Sequence, residues 1–255
     1  MYPKIFLAAT SHVKSPIVGI LQPHYILESY MDLKSDTKVT QSYIQWCLSG
    51  EEFLLDSGAF TFMNKKIKET SKTEEEILTD LEPYIQGYIN FINKYDIKLF
   101  FELDIDCMIS YDKVKEIRKN IESQTNKKCI PVWHKSRGKE EFIKMCDEYE
   151  YVAIGGIASR EIKKKEWPLL WELCDIAHSK NCKVHGLGFL PLDVLNNGEC
   201  PFDTVDGTSW QGHMRKKNFL LEGKTIKKID DTRYWKEVAY DCFKNWTEYS
   251  RIIKQ

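Results

Sequence analysis

Short apolar runs that end in acids, histidine or glycine recur along the chain, with helical periodicity filling the gaps between them. Phe53-Leu54-Leu55-Asp56 sets the pattern: three apolar residues, an aspartate, then Ser57-Gly58-Ala59, which permit a tight turn. Leu99-Phe100-Phe101-Glu102-Leu103-Asp104-Ile105-Asp106 repeats it, as do Tyr151-Val152-Ala153-Ile154-Gly155-Gly156, Lys183-Val184-His185-Gly186 and Phe202-Asp203-Thr204-Val205-Asp206. Polar residues collected at the carboxyl ends of successive parallel strands are how an α/β barrel builds a site.

In chain order, the pattern predicts strands over residues 5–9, 53–56, 98–104, 129–133, 151–155, 183–187 and 202–206. Helices are predicted over residues 17–30, despite Pro23, and over 40–48, 111–123, 139–149, 160–180 and 232–253. Thr73-Glu74-Glu75-Glu76 is a capping box, and Ile77, Leu81, Ile85, Tyr88 and Ile92 mark one face of the helix it opens. An eighth strand is sought within residues 219–229, where Gly223 also suits a hairpin. Strand and helix alternating with short links imply a parallel sheet, so the fold expected is α/β: one (β/α)8 barrel of the TIM type over residues 1–255.

Composition narrows the function classes. A chain of 255 residues matches the ~250 of such a barrel, and 42% hydrophobic with 13% aromatic residues supplies a core. No apolar run approaches the ~18 residues of a membrane span, and the start reads as a strand, so a cytoplasmic protein with no membrane partner is expected. With a net charge of -1, any nucleic-acid contact must come from local clusters. The 8 cysteines form no Cys-x-x-Cys pair and are expected to be reduced and mostly buried. Cys174, His178 and Cys182 have helical spacing, yet no fourth ligand accompanies them, so no metal is assigned.

The chemistry lies in the strand-end acids Asp56, Asp104, Asp106, Asp203 and Asp206. Two carboxylates across a pocket suit displacement at a sugar C1: one attacks or stabilises the oxocarbenium-like centre, the other moves a proton at the leaving group. Any one of these acids alone reads equally well as a turn cap. Gly155-Gly156 allows close backbone approach, Phe60 offers a face for a flat base, and His134 a donor. Lys65 and Lys66 after Asp56, and Arg215, Lys216 and Lys217 after Asp206, would place cations along a polynucleotide backbone.

In this order, Asp56-Ser57-Gly58-Ala59-Phe60, Ile154-Gly155-Gly156-Ile157-Ala158, Gly186-Leu187-Gly188 and Phe202-Asp203-Thr204-Val205 resemble the signature segments of tRNA-guanine transglycosylases. Val205-Asp206-Gly207-Thr208-Ser209-Trp210 is more similar to the short, often phage-encoded DpdA-type members that insert 7-deazaguanines into DNA. The resemblance runs over residues 53–210. It implies a (β/α)8 barrel and a pentosyltransferase that exchanges guanine in a polynucleotide for a queuosine-related 7-deazaguanine by double displacement, with no cofactor. It makes Asp203 the nucleophile, with Asp206 a rival, and Asp56 the acid that shuttles a proton. Phe60 would stack on the base, Asp104 or Asp106 read its edge, Gly156 and Ile157 contact it through backbone, and His185, beside Gly186, floor the pocket. The zinc-binding carboxyl-terminal subdomain that helps hold tRNA is missing, which favours DNA over tRNA. A homodimer or an accessory protein could supply the missing grip. The glutamine expected after Trp133 is absent, with His134 nearby. The rival readings are a nucleoside or nucleic-acid N-glycosidase, in which water intercepts the intermediate, and a phosphate-binding aldolase or isomerase barrel. The latter lacks a strand-end lysine for a Schiff base.

Overall fold

A computed structural model describes residues 2–13, 21, 24–58, 73–211, 219–228 and 232–252. Eight strands, β1 (Lys4–Ala8), β2 (Tyr25–Ser29), β3 (Glu52–Asp56), β4 (Leu99–Phe100), β5 (Val132–Trp133), β6 (Tyr151–Ile154), β7 (Lys183–Gly186) and β8 (Thr204–Gly207), form one parallel sheet. Each pairs with its sequence neighbour, and β1 also pairs with β8. Between β4 and β5 the ring closes through the Phe101–Ile130 bridge, where the Ile130 amide donates to the Phe100 carbonyl at 2.8 Å and the Glu102 amide to the Ile130 carbonyl at 3.0 Å. The architecture is the expected TIM-type α/β barrel.

Strand alternation divides the apolar residues between two cores. Phe6, Leu27, Leu54, Phe101, Val132 and Ala153 pack together in the barrel interior. Their neighbours, among them Leu7, Ile26, Leu55, Phe100 and Ile154, belong to the larger core under the helices. The helices are α1 (Tyr30–Leu33), α2 (Lys38–Leu48), α3 (Glu74–Lys94), α4 (Tyr111–Thr125), α5 (Lys139–Glu148), α6 (Pro168–Ser179), α7 (Leu192–Asn196) and α8 (Trp235–Ile252). The Thr73 capping box opens α3 as expected, with both reciprocal bonds to Glu76 in place. Seven of the cysteines are buried and Cys107 is exposed, and no disulfide links any of the 8.

Three expectations need correction. Residues 17–30 were expected to be helical, but Tyr25–Ser29 is the second strand of the ring. A strand buried on both faces carries no polar alternation, so Tyr25-Ile26-Leu27 reads as readily as helix. The eighth strand therefore comes early in the chain. Residues 219–228 instead form an antiparallel hairpin outside the barrel sheet, β9 (Phe219–Glu222) with β10 (Thr225–Lys228), turning at Gly223 with φ +56°. The helix expected to start at residue 160 starts at Pro168. Proline lacks the amide that an earlier start would use and suits the first turn, so Glu161 is left in the loop after β6.

Candidate active site

The interior alternation carries polar groups to the carboxyl end of the barrel. Two residues beyond inward-facing Leu54, Val132 and Ala153 stand Asp56, His134 and Gly155, and Asp206 follows Thr204 by the same step. Asp56 ends β3, where its Oδ2 accepts from the Gly58 amide at 3.0 Å. Gly58 has φ +74°, and a Cβ there would come within 2.7 Å of the Tyr84 hydroxyl, which donates to the Ser57 carbonyl at 2.6 Å. The turn that aims Asp56 therefore requires glycine. Burial pushes the Asp56 carboxyl up to about 7, helped by the charge of Asp104 and, less, by that of Asp206, against the Gly58 and Ser29 hydrogen bonds.

Asp104 follows β4 and bonds His134 Nε2 at 2.8 Å, while Glu161 Oε2 lies 3.4 Å from His134 Nδ1. The imidazole rests on Gly155, where a Cβ would fall 2.6 Å from His134 Cε1. Burial pulls the His134 pKa down, but the Asp104 hydrogen bond and charge outweigh it and the net shift is upward. Asp206 Oδ1 accepts from the Gly188 amide at 2.8 Å and lies 3.2 Å from His185 Nε2. His185 is fully buried at the floor of the mouth, between the rings of Phe6 and Phe101.

The two rivalries left by the sequence separate in space. Asp203 lies at the amino end of the barrel, just before β8: its carbonyl accepts from the Lys4 amide, and its Oδ2 accepts from the Val184 amide at 2.7 Å and contacts His178 Nε2 at 2.9 Å. Lys4 and Val184 stand at the starts of β1 and β7, so Asp203 is remote from Asp56 and the expectation that it sits in the mouth is corrected. Three residues along a strand change both face and end, which Asp206 alone satisfies. Asp106 is held by Arg137, whose Nε and NH2 donate at 3.0 and 2.9 Å. Burial raises the Asp106 carboxyl, yet the Arg137 bonds and charge dominate and hold it below the usual range. Arg137 also donates to Glu102 Oε1 at 2.7 Å, beside Arg118. Asp106 is thus part of a buried ion-pair network in the wall, while Asp104 faces the mouth.

Other expected residues divide likewise. Gly155 lies against His134, and Gly156 with φ +80° carries the chain under Glu161. Ile157 packs its side chain on the outer core. Gly186 was expected in the pocket, but it faces the outer core and makes room for Phe202, whose ring a Cβ would meet at 2.7 Å. Phe60, Lys65, Lys66, Arg215, Lys216 and Lys217 lie outside the described residues. Glu161, Arg137 and Thr204 were not singled out from the sequence. A glutamate inside an expected helix and an arginine among Lys-Ser-Arg carry no local mark, whereas the inward phase shared by Thr204 and Asp206 could have been counted. No family model matches the chain, and no curated protein matches it.

Proposed function

We propose that the protein is a base-exchanging pentosyltransferase of the tRNA-guanine transglycosylase type, acting on guanine in a polynucleotide, DNA rather than tRNA, with a 7-deazaguanine as the incoming base. The observation that carries this reading is the meeting of Asp56, Asp104 and Asp206 in one electrostatic neighbourhood at the carboxyl end of the barrel, with Asp56 poised near neutrality. In the first displacement Asp206 attacks C1′ of a flipped nucleotide, a C1′–O bond forms and the C1′–N bond to guanine breaks. Protonated Asp56 gives its proton to the departing base. In the second, ionised Asp56 takes the proton from the incoming base, whose nitrogen attacks C1′ and releases the Asp206 carboxylate. A carboxyl near pH 7 serves both directions, since it is neither a strong acid nor a poor one. Asp104 reads the base edge, paired with His134, which stands near the place of the missing glutamine.

The test is incubation with isotope-labelled guanine or 7-deazaguanine and, separately, tRNA and double-stranded DNA. Incorporation into DNA that is lost in Asp206→Asn is expected. Release of free guanine with abasic sugar and no incorporation would replace exchange by hydrolysis, and incorporation unaffected by loss of Asp206 would defeat the proposal.

A further inference from the structure

Beneath Asp206 a file of polar side chains descends through the otherwise apolar barrel interior. His185 Nδ1 lies 2.6 Å from Thr204 Oγ1, and Thr204 Oγ1 in turn hydrogen-bonds the Tyr151 hydroxyl. Neighbouring interior positions are Phe6, Leu54, Phe101 and Ala153. Such a core gains nothing in packing from a buried imidazole and two hydroxyls, and each of them must be satisfied inside it.

Proton counting fixes the direction of the file. An ionised Asp206 only accepts, so the 3.2 Å contact requires a proton on His185 Nε2. In a neutral imidazole Nδ1 is then an acceptor, and the single Thr204 hydroxyl proton must point to it. Thr204 Oγ1 is left to accept, so Tyr151 donates. Burial holds the Tyr151 phenol well above its usual range, with the charges of Glu52, Asp203 and Asp206 adding to the rise against the Thr204 bond, so it keeps the proton it must give. Charged groups around the file are Asp56 beside Asp206, Lys4 paired with Glu52 below Tyr151, and Asp203, which contacts His178. Both donors recorded for Asp206, His185 Nε2 and the Gly188 amide, meet Oδ1. Oδ2 is the oxygen left without a recorded donor among the described residues.

We propose that Tyr151, Thr204 and His185 form a one-way hydrogen-bond relay along the barrel axis, positioning residues that lock His185 as its Nε2–H tautomer and aim Asp206 Oδ2 at the substrate. The relay deepens the exchange mechanism and rests on Asp206 being its nucleophile, but its geometry is independent of which base is exchanged. When Asp206 becomes esterified, Oδ1 remains an acceptor and the same N–H supports the ester carbonyl.

Nitrogen NMR of histidine-labelled protein tests the relay without substrate, with the His185 signal assigned by its loss in His185→Gln. A ring protonated at Nε2, with Nδ1 accepting, is expected. Thr204→Val, nearly isosteric, should remove the hydrogen bond at Nδ1, shift the Nδ1 resonance and slow exchange roughly 10- to 100-fold with KM held within about twofold, the scale of losing an outer partner that orients a histidine. Thr204→Ser should restore both. A wild-type ring protonated at Nδ1, or an Nδ1 resonance unmoved by Thr204→Val, would overturn the relay, even if bases are exchanged. A locked Nε2–H tautomer in a protein that exchanges no base upholds the relay and sinks the transglycosylase reading.

Discussion

The two ends of the barrel differ in whether every acid has a partner that can carry positive charge. At the amino end every acid discussed has a cation or a ring nitrogen of its own: Glu52 pairs with Lys4, and Asp203 with His178 and the Val184 amide. At the carboxyl end Asp104 and Asp206 also meet ring nitrogens, of His134 and His185, but Asp56 is held by the Gly58 amide and the Ser29 hydroxyl, and the charges of the other two help hold a proton on it near pH 7. Stability alone would select the first arrangement, because like charges in a half-dry bowl cost free energy that pairing would recover. The second is what chemistry needs, and perturbed carboxyls gathered in a concavity mark functional sites more often than structural ones. The contrast can be broken at four points.

The largest effect should come from removing, one at a time, Asp206 of β8 and Asp203 just before it. Asp206→Asn should lower the base-exchange rate by at least about 10³-fold, the scale on which loss of a nucleophile acts, with thermal unfolding little changed. Asp203→Asn should leave the rate within a few-fold, because its partners lie at the far end. If Asp203→Asn proves the more damaging in single-turnover assays while the protein remains folded, the division between the two ends is wrong.

Arg137 sharpens the comparison by showing what an acid at the carboxyl end looks like when it is neutralised. Its guanidinium is 1% exposed and serves both Glu102 and Asp106, and it stacks on Tyr111. Arg137→Met leaves half-buried Asp106 without its cation and buried Glu102 with Arg118 alone, and should cost about 3–5 kcal/mol in chemical denaturation. A loss under about 1 kcal/mol would mean that the network is wet and that Asp106 is free to join Asp104.

Asp56 tests the electrostatics directly. Its carboxyl is raised from an ordinary 3.8 to about 7, so the folded state binds its proton more tightly than the unfolded chain does. The resulting stability is complete below about pH 4, declines as pH rises, and is gone above about 7. At ~1.4 kcal/mol per unit it amounts to at most about 4 kcal/mol. Unfolding free energies measured across that interval should fall for the wild type relative to Asp56→Asn. The same substitution should remove a limb near pH 7 from the rate profile. Parallel stability curves for the two proteins would show that the acids do not feel one another.

How far the sequence foretold this depended on whether a residue's role was local. The capping box at Thr73, the apolar runs and the acid at the end of β3 are short-range signals, and they appear in the structure where the pattern put them. The strand β2 was hidden because both of its faces are buried, and with it went the true count around the ring. Choosing between Asp203 and Asp206 needed the register in which Lys4 meets Thr204 and Phe6 meets Asp206. Choosing between Asp104 and Asp106 needed Arg137, about 30 residues further on. Pairings of that range leave no periodicity to read.

The smallest expected effect belongs to the amino end itself. Lys4 and Glu52 form an ion pair whose side chains are 37% and 32% exposed, so water screens it and offers each charge an alternative partner. Lys4→Met should therefore change stability by no more than about 1 kcal/mol. The Lys4 ammonium also sits 5.4 Å from the centroid of the Tyr25 ring, and methionine keeps an apolar stem of similar length there. Base exchange should stay at the wild-type rate, because the relay above Tyr151 is held by hydrogen bonds that do not pass through Lys4. A drop in rate with unchanged unfolding would instead show that the charge of Glu52, left unpaired below Tyr151, reaches the mouth through the relay, and that the two ends are electrostatically one.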